Sequence, residues 1–142
     1  HDIVYREAKK AGEADPAPTP AAAAQPGDWQ HTIVPDDVLL FRYSALTFNG
    51  HRIHYDRKYA TEVEGYPGLV VHGPLIATLL LDLVSRNAPD AEVATFGFKA
   101  LRPLFDLHPF QIHGRRRGNA IKLRALNHEG GLSMDAQATT RD

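Results

Sequence analysis

The chain has no cysteine, one tryptophan and one methionine in 142 residues. Without cysteine, disulfides and thiolate metal sites are excluded, and nothing marks a redox compartment. It also lacks a charge excess. At a formal net charge of −1, neither nucleic acid nor an anionic membrane surface would be attracted strongly, and neither is expected as a partner. Arg115, Arg116 and Arg117 are a local exception. Long hydrophobic runs are missing as well. The most apolar stretch, PLIATLLLDLV, is too short and too interrupted to span a bilayer, and no secretory pattern is visible. These absences leave the cytoplasm, or the mitochondrion in a eukaryote, as the expected location. With 43% hydrophobic residues the chain can build one core but not two.

The first residue is His1 and the only methionine is Met134, so an upstream segment is expected. HDIVYRE alternates apolar and polar residues, which reads as a strand. A strand followed by a linker needs a sheet to join, so residues 1–8 are expected to be the last strand of a preceding unit. Residues 9–28 are rich in proline and alanine, which gives an extended linker with no packed core. The folded domain should then run over residues 29–142.

Within that domain, PDDVLLFRYSALT places Pro35 and two acids before an apolar pattern. A helix is expected from about Asp36 to Leu46, with Val38, Phe41 and Ala45 on one face. GPLIATLLLDLVSRNAP has Pro74 in its first turn and stops before Pro89. Its apolar positions Leu75, Ile76, Leu79, Leu80, Leu83 and Val84 suit a helix buried against a sheet. From Glu92 onward the pattern becomes strand-like. EVATFGFKALRPLF, PFQIHGRRRGN, AIKLRALNHEGG and LSMDAQATT are separated by proline, glycine and asparagine, and NHEGG is a strong hairpin signal. One long buried helix followed by an antiparallel meander that wraps it is the order of an α+β hot-dog fold.

FRYSALTFNGHRIHYDRKYA followed by GYPGLVVHGPLIATLLL resembles the hydratase segment of the MaoC-like hot-dog hydratases and dehydratases. It is most similar to the branch with mesaconyl-C4-CoA hydratases, itaconyl-CoA hydratases and mitochondrial-type hydroxyacyl-thioester dehydratases. The likeness covers roughly residues 36–103. It implies an enzyme that adds water to, or removes it from, an enoyl-CoA thioester, with a short dicarboxylic acyl group and no cofactor. Members of this branch are often double hot-dogs, which implies a homodimer or a pairing with a second hot-dog segment. The family motif has an aspartate and, five residues on, a histidine. Here His54 takes the histidine position and Asn49 the aspartate position, as in this branch, while His51 and Arg52 stand where an Asn-Pro pair is common.

Hydrating an enoyl thioester needs a group that deprotonates water, a way to hold that water, and a donor for the oxygen that becomes enolate-like. His54 suits the first task because imidazole titrates near neutrality. Asn49 cannot accept a proton; its amide would hold the water or orient His54, or simply cap the loop. Gly73 opens the long helix, where free N–H groups and the helix dipole favour developing negative charge and glycine admits a close approach; tight packing is the alternative reason for it. For the substrate, Arg115, Arg116 and Arg117 are candidates for the coenzyme phosphates. Arg52, then Arg42, are candidates for a free acyl carboxylate, and His72 for a further substrate contact or a packing role. A metal site is not expected, since His51 and His54 stand at i, i+3 without acidic partners in the usual spacing. Ser44 lacks the strand–turn–helix context of a nucleophile. Two other readings stay open: a non-catalytic half that binds acyl-CoA or completes a partner's site, and a thioesterase, for which Asp82 is the only acid on the long helix.

Overall fold

The computed structural model describes residues 28–141; the strand expected over residues 1–8, and nearly all of the linker, lie outside them. The elements in chain order are β1 (Trp29–Ile33), α1 (Asp37–Leu46), a 3-10 turn (Arg52–His54), a π turn (Tyr59–Val63), α2 (Gly73–Asn87), β2 (Glu92–Ala100), β3 (Phe110–Arg117), β4 (Ala120–Leu126) and β5 (Leu132–Arg141). Five antiparallel strands form one sheet in the order β1-β3-β4-β5-β2.

The tight connections follow from their residues. Gly118 closes β3 to β4 with φ 61°, and Gly130 helps close β4 to β5 with φ 80°, a left-handed backbone that glycine adopts at little cost. In the second turn the Asn127 side chain accepts from the N–H groups of Glu129 and Gly131, an Asx arrangement. The meander expected from Glu92 onward holds only from β3. Strand β2 pairs with β5 at the far edge, so residues 101–109 cross over. The strand-like pattern over residues 92–105 likewise ends at Ala100. There the N–H groups of Leu101 and Arg102 both turn onto the carbonyl of Ser133 at 2.9 and 3.1 Å, and Pro103 has no donor with which to continue a ladder. Strand β1 is an addition to the expected elements. Its Trp29 lies opposite Gly114, where a Cβ would stand 2.8 Å from the indole and 3.0 Å from Leu123. Only glycine lets β1 and β3 approach with Trp29 packed between them.

Helix α2 buries the expected face. Leu75, Ile76, Leu80, Leu83 and Val84 are buried, together with Phe110, Ile112, Ile121, Leu123 and Ala136 of the sheet. At about 25 cal/mol per Å² of apolar surface removed from water, such a face outweighs any propensity of the helix itself. Helix α1 departs from expectation. Val38, Phe41 and Ala45 are exposed, while Leu40 and Ser44 are buried. Apolar residues lie all round this helix, so the pattern does not choose a face; contact with the histidines beyond it does. Asp36 caps α1 by accepting from Leu39 N–H at 2.7 Å.

Candidate active site

The site is assembled from the end of α1, the 3-10 turn and the start of α2. Helix α1 stops in a paired 6→1 and 5→2 arrangement: Asn49 N–H donates to Ser44 O at 2.9 Å and Phe48 N–H to Ala45 O at 3.4 Å. Phe48 takes the left-handed position with φ 52°, where glycine is usual. Asn49 then accepts at Oδ1 from His51 N–H at 3.0 Å and leads into the turn that carries His54. Its side chain therefore holds the loop, and it borders a cavity of about 330 Å³ with Phe41, Ser44, Phe48 and Tyr55.

His54 is held from the other side. Its Nδ1 lies 2.7 Å from Val70 O. A carbonyl only accepts, so Nδ1 carries the proton and Nε2 keeps the lone pair of the neutral ring. Val70 is itself fixed, through its N–H to Ile53 O and through neighbours tied to the crossover: Val71 N–H to Leu104 O, and Leu69 N–H to the Asp106 carboxylate. The buried Asp106 carboxylate pairs with Arg57 at 2.5 Å. His72 stacks on His54 with centroids 3.8 Å apart and planes at 17°. Its Nε2 is 2.8 Å from Ser44 Oγ, and its Nδ1 is buried with no partner among the described residues. Burial pushes the His54 pKa below its ordinary value, against the Val70 hydrogen bond, and His51 adds to the lowering. Burial, with His54 alongside, takes His72 down to about 4. Both rings are neutral at pH 7.

A second cavity, of about 310 Å³, brings His54 together with Gly73 and with Val70, Val71, Ile76, Leu101, Arg102, Leu104, Ser133 and Met134. Gly73 and Leu75 lie in the first turn of α2, whose N–H groups have no acceptor within the helix; the first intrahelical bond runs from Ile76 N–H to His72 O. A Cβ on Gly73 would meet nothing within 4 Å, so packing is not the reason for glycine there.

The other expected residues are placed apart from this cavity. His72 is 1% exposed and sits behind His54, so it backs that ring and does not line the cavity. Arg52 is an exposed side chain paired with Asp56 at 2.7 Å and laid over the Tyr59 ring. Arg42 is exposed on α1. Arg115 pairs with Asp28, and Arg116 donates to Gly118 O at 2.9 Å. These two and the exposed Arg117 follow Gly114, which abuts Leu83, ten residues or about 15 Å along α2 from Gly73. Asp82 is bonded to Arg86 at 2.6 Å on the exposed side of α2, away from any thioester held at the helix start. Arg102 and Ser133 also line this cavity, although the sequence does not mark them. Both look like ordinary strand residues there, and only the crossover brings them to His54. No group of metal-ligating side chains occurs among the described residues, and no described helix is long and apolar enough to cross a membrane.

A long helix against an antiparallel sheet, with a largely apolar cavity at the helix start, defines a hot-dog unit. The (R)-hydratase from A. caviae involved in PHA biosynthesis shares this fold with a TM-score of 0.72 at 17% identity, over 85% of this chain and 98% of that one. A MaoC-like dehydratase matches with a TM-score of 0.70 at 18% identity, over 99% of this chain and 50% of that one. In sequence, the model of hydroxyacyl-thioester dehydratase type 2 matches residues 1–106, and the chain belongs to that family. It is 51% identical to the mesaconyl-C(4)-CoA hydratase of Chloroflexus aurantiacus over 136 residues, which are 95% of this chain and 47% of that protein. The chain thus spans about half the length of this relative.

Proposed function

We propose that this chain carries the hydrating half of an enoyl-CoA hydratase whose substrate is a short dicarboxylic acyl thioester, as the name of the Chloroflexus relative indicates for that protein. The observation that carries the reading is the state of His54: a neutral imidazole, its Nδ1–H committed to Val70 O, lining one cavity with the open first turn of α2. His54 Nε2 takes a proton from water, and the hydroxide adds to the β-carbon of the enoyl group. Electron density moves to the thioester oxygen, which the first-turn N–H groups at Gly73 hold. The imidazolium returns its proton to the α-carbon, which completes the addition of one water. His72 and Ser44 act as positioning residues behind the ring, and Asn49 fixes the turn that delivers it.

The same reading includes a partner. Val38, Phe41, Leu46 and Phe48 form an exposed apolar row on and after α1, and β2 is an edge strand with Val93 and Phe98 exposed. Both features call for cover, and we assign it to a second hot-dog unit, either another copy or an adjoining segment. The phosphates of the coenzyme are assigned to Arg116 and Arg117, at the other end of α2 from the reacting carbons.

Replacing His54 with alanine in the full-length protein tests the catalytic assignment. Turnover should fall about 10² to 10⁴-fold, the usual loss of a general base, with an unchanged circular dichroism spectrum. Full turnover in a folded His54→Ala protein would remove the hydratase reading from this half.

A further inference from the structure

Hydration by His54 and the first turn of α2 leaves one buried charge without a task. The Asp106 side chain is 4% exposed, although it lies in the crossover between β2 and β3. Arg57 meets its carboxylate as a fork: Nη2 donates to Oδ2 at 2.5 Å and Nη1 to Oδ1 at 3.4 Å. Oδ1 also accepts from Leu69 N–H at 2.9 Å. Neither exposed nor buried ion pairs are a strong source of net stability. A forked pair does fix the relative position of the two segments that carry it, here 49 residues apart in the chain.

That position bears on His54 through residues 69–71, a strip bonded on both sides. Toward the His54 turn, Val70 N–H donates to Ile53 O at 3.0 Å and Val70 O accepts from His54 Nδ1 at 2.7 Å. Toward the crossover, Leu69 O accepts from Asp106 N–H at 3.0 Å and Val71 N–H donates to Leu104 O at 2.8 Å. A peptide group is planar, so the plane that carries Val70 O also carries Val71 N–H and is held at both edges. The plane before it, with Leu69 O and Val70 N–H, is held likewise. The direction of the Val70 carbonyl therefore depends on how the crossover seats against the strip. Asp106 is the seat, since its backbone N–H and its carboxylate both bond to Leu69. Gly68 admits it: a Cβ there would stand 2.7 Å from Asp106 Oδ1 and 3.0 Å from Leu107, and would push the carboxylate off Leu69 N–H.

We infer that Asp106, supported by Arg57 and Gly68, is a positioning residue for His54: its carboxylate seats the crossover on Leu69 and so aims the carbonyl that keeps the His54 proton on Nδ1. Its use in hydration rests on the hydratase reading, whereas the aiming does not. A histidine freed from that carbonyl shares its proton between both ring nitrogens. The fraction protonated at Nε2 then has no lone pair there with which to take a proton from water. An ion pair that served stability alone would change how much protein is folded and leave the imidazole of the folded protein as it is.

The place of the proton can be read without substrate, from nitrogen–proton correlation spectra of the full-length protein labelled at its histidine nitrogens. The His54 signals are identified by their loss in His54→Ala. Wild-type His54 should show a single Nδ1–H form. Asp106→Asn keeps an oxygen for Leu69 N–H but loses the forked pair. It should mix the two forms and lower kcat about 30-fold with KM within about threefold, since a displaced catalytic group can cost up to about 10²-fold. Gly68→Ala should act in the same direction without altering either charge. Arg57→Lys keeps the charge and loses the fork, so it should fall between wild type and Asp106→Asn, and it still decides the matter if the other two fail to fold. Spectra and rates are taken where the circular dichroism of each variant matches wild type. A single Nδ1–H form in every folded variant would overturn the proposal, whatever the rates. Mixed forms in a protein that hydrates no thioester would support the positioning and sink the hydratase reading instead.

Discussion

Gly73 and Gly114 stand at opposite ends of the helix–sheet contact, and they are glycines for opposite reasons. A side chain at Gly114 would run into Trp29 and Leu123, with Leu83 close behind. A side chain at Gly73 would meet nothing. One end of the unit is filled to the density of an interior. At the other the fold keeps a cavity of about 310 Å³ beside the first turn of α2. Stability pressure alone would have closed that end, so the difference locates function more directly than any one side chain does.

The strongest way to break the comparison is to add one methyl group at each position. Gly114→Ala should destabilise by about 1–3 kcal/mol through overpacking while kcat of the folded protein stays within twofold. Gly73→Ala should unfold at the wild-type denaturant concentration or slightly above it, since alanine suits a helix better than glycine by up to about 1 kcal/mol. Its kcat/KM should nevertheless fall about 100-fold, as for loss of an oxyanion donor, because the methyl group occupies the space the thioester needs. Urea titration and initial rates on both variants decide it. A Gly73→Ala protein with full activity would show that nothing approaches the first turn of α2.

How much of this can be read from the chain depends on the range of the interactions. Helix α2, the hairpin at Asn127 to Gly131 and the motif from Asn49 to His54 are legible, because periodicity, turn chemistry and spacing are local. The unit's edges are not. WQHTI carries no strand signal strong enough to name β1, whose place depends on a glycine 85 residues away. Strand β2 is legible as a strand but not in its pairing, since nothing local distinguishes a neighbour on β3 from one on β5. In the site, His54 and Gly73 can be named because a motif marks them. Ser44, Arg102 and Ser133 cannot, as each reaches the histidines only through tertiary contacts. The buried face of α1 differs from expectation for a related reason: apolar residues lie all round the helix, and Val38, Phe41 and Ala45 are left exposed among the described residues.

The neutral histidines sharpen the contrast between the two ends through pH. His72 titrates near 6.5 when unfolded and near 4 when folded. Between those values the unfolded chain binds the extra proton, so this contribution is complete above pH 6.5 and is lost as pH falls toward 4. The loss from His72 should reach about 2 kcal/mol by pH 5. His54 and His113 shift in the same direction and add to it. Asp56, whose carboxyl is lowered by its bonds to Tyr59 N–H and Arg52, responds only below the ordinary carboxylate range, outside this window. Denaturant unfolding at pH 7.5 and pH 5 should show the loss, and His72→Asn should flatten it while moving the acid limb of kcat/KM through His54. An identical slope in His72→Asn would mean that the buried pair is not the source.

Phe48 extends the comparison to a position where glycine is missing. It takes the left-handed place that ends α1, at φ 52°, with 97% of its surface exposed. For a bulky residue that backbone costs about 1 kcal/mol, and within this unit the ring recovers none of it. A second hot-dog unit over the apolar row would supply the return, since burying a phenyl side chain is worth about 1.5–3 kcal/mol. The two signs oppose each other, which makes Phe48→Gly a test of cover rather than of packing. With the row covered, the strain is relieved in assembled and free units alike, so association loses only the burial energy of the phenyl ring. Assembly should then weaken by about 1.5–3 kcal/mol, roughly a 10- to 150-fold rise in dissociation constant that sedimentation at graded concentrations can measure. With the row bare, Phe48→Gly would only relieve strain, raising the unfolding midpoint and leaving association unchanged, and the exposed face of α1 would have no partner to explain it.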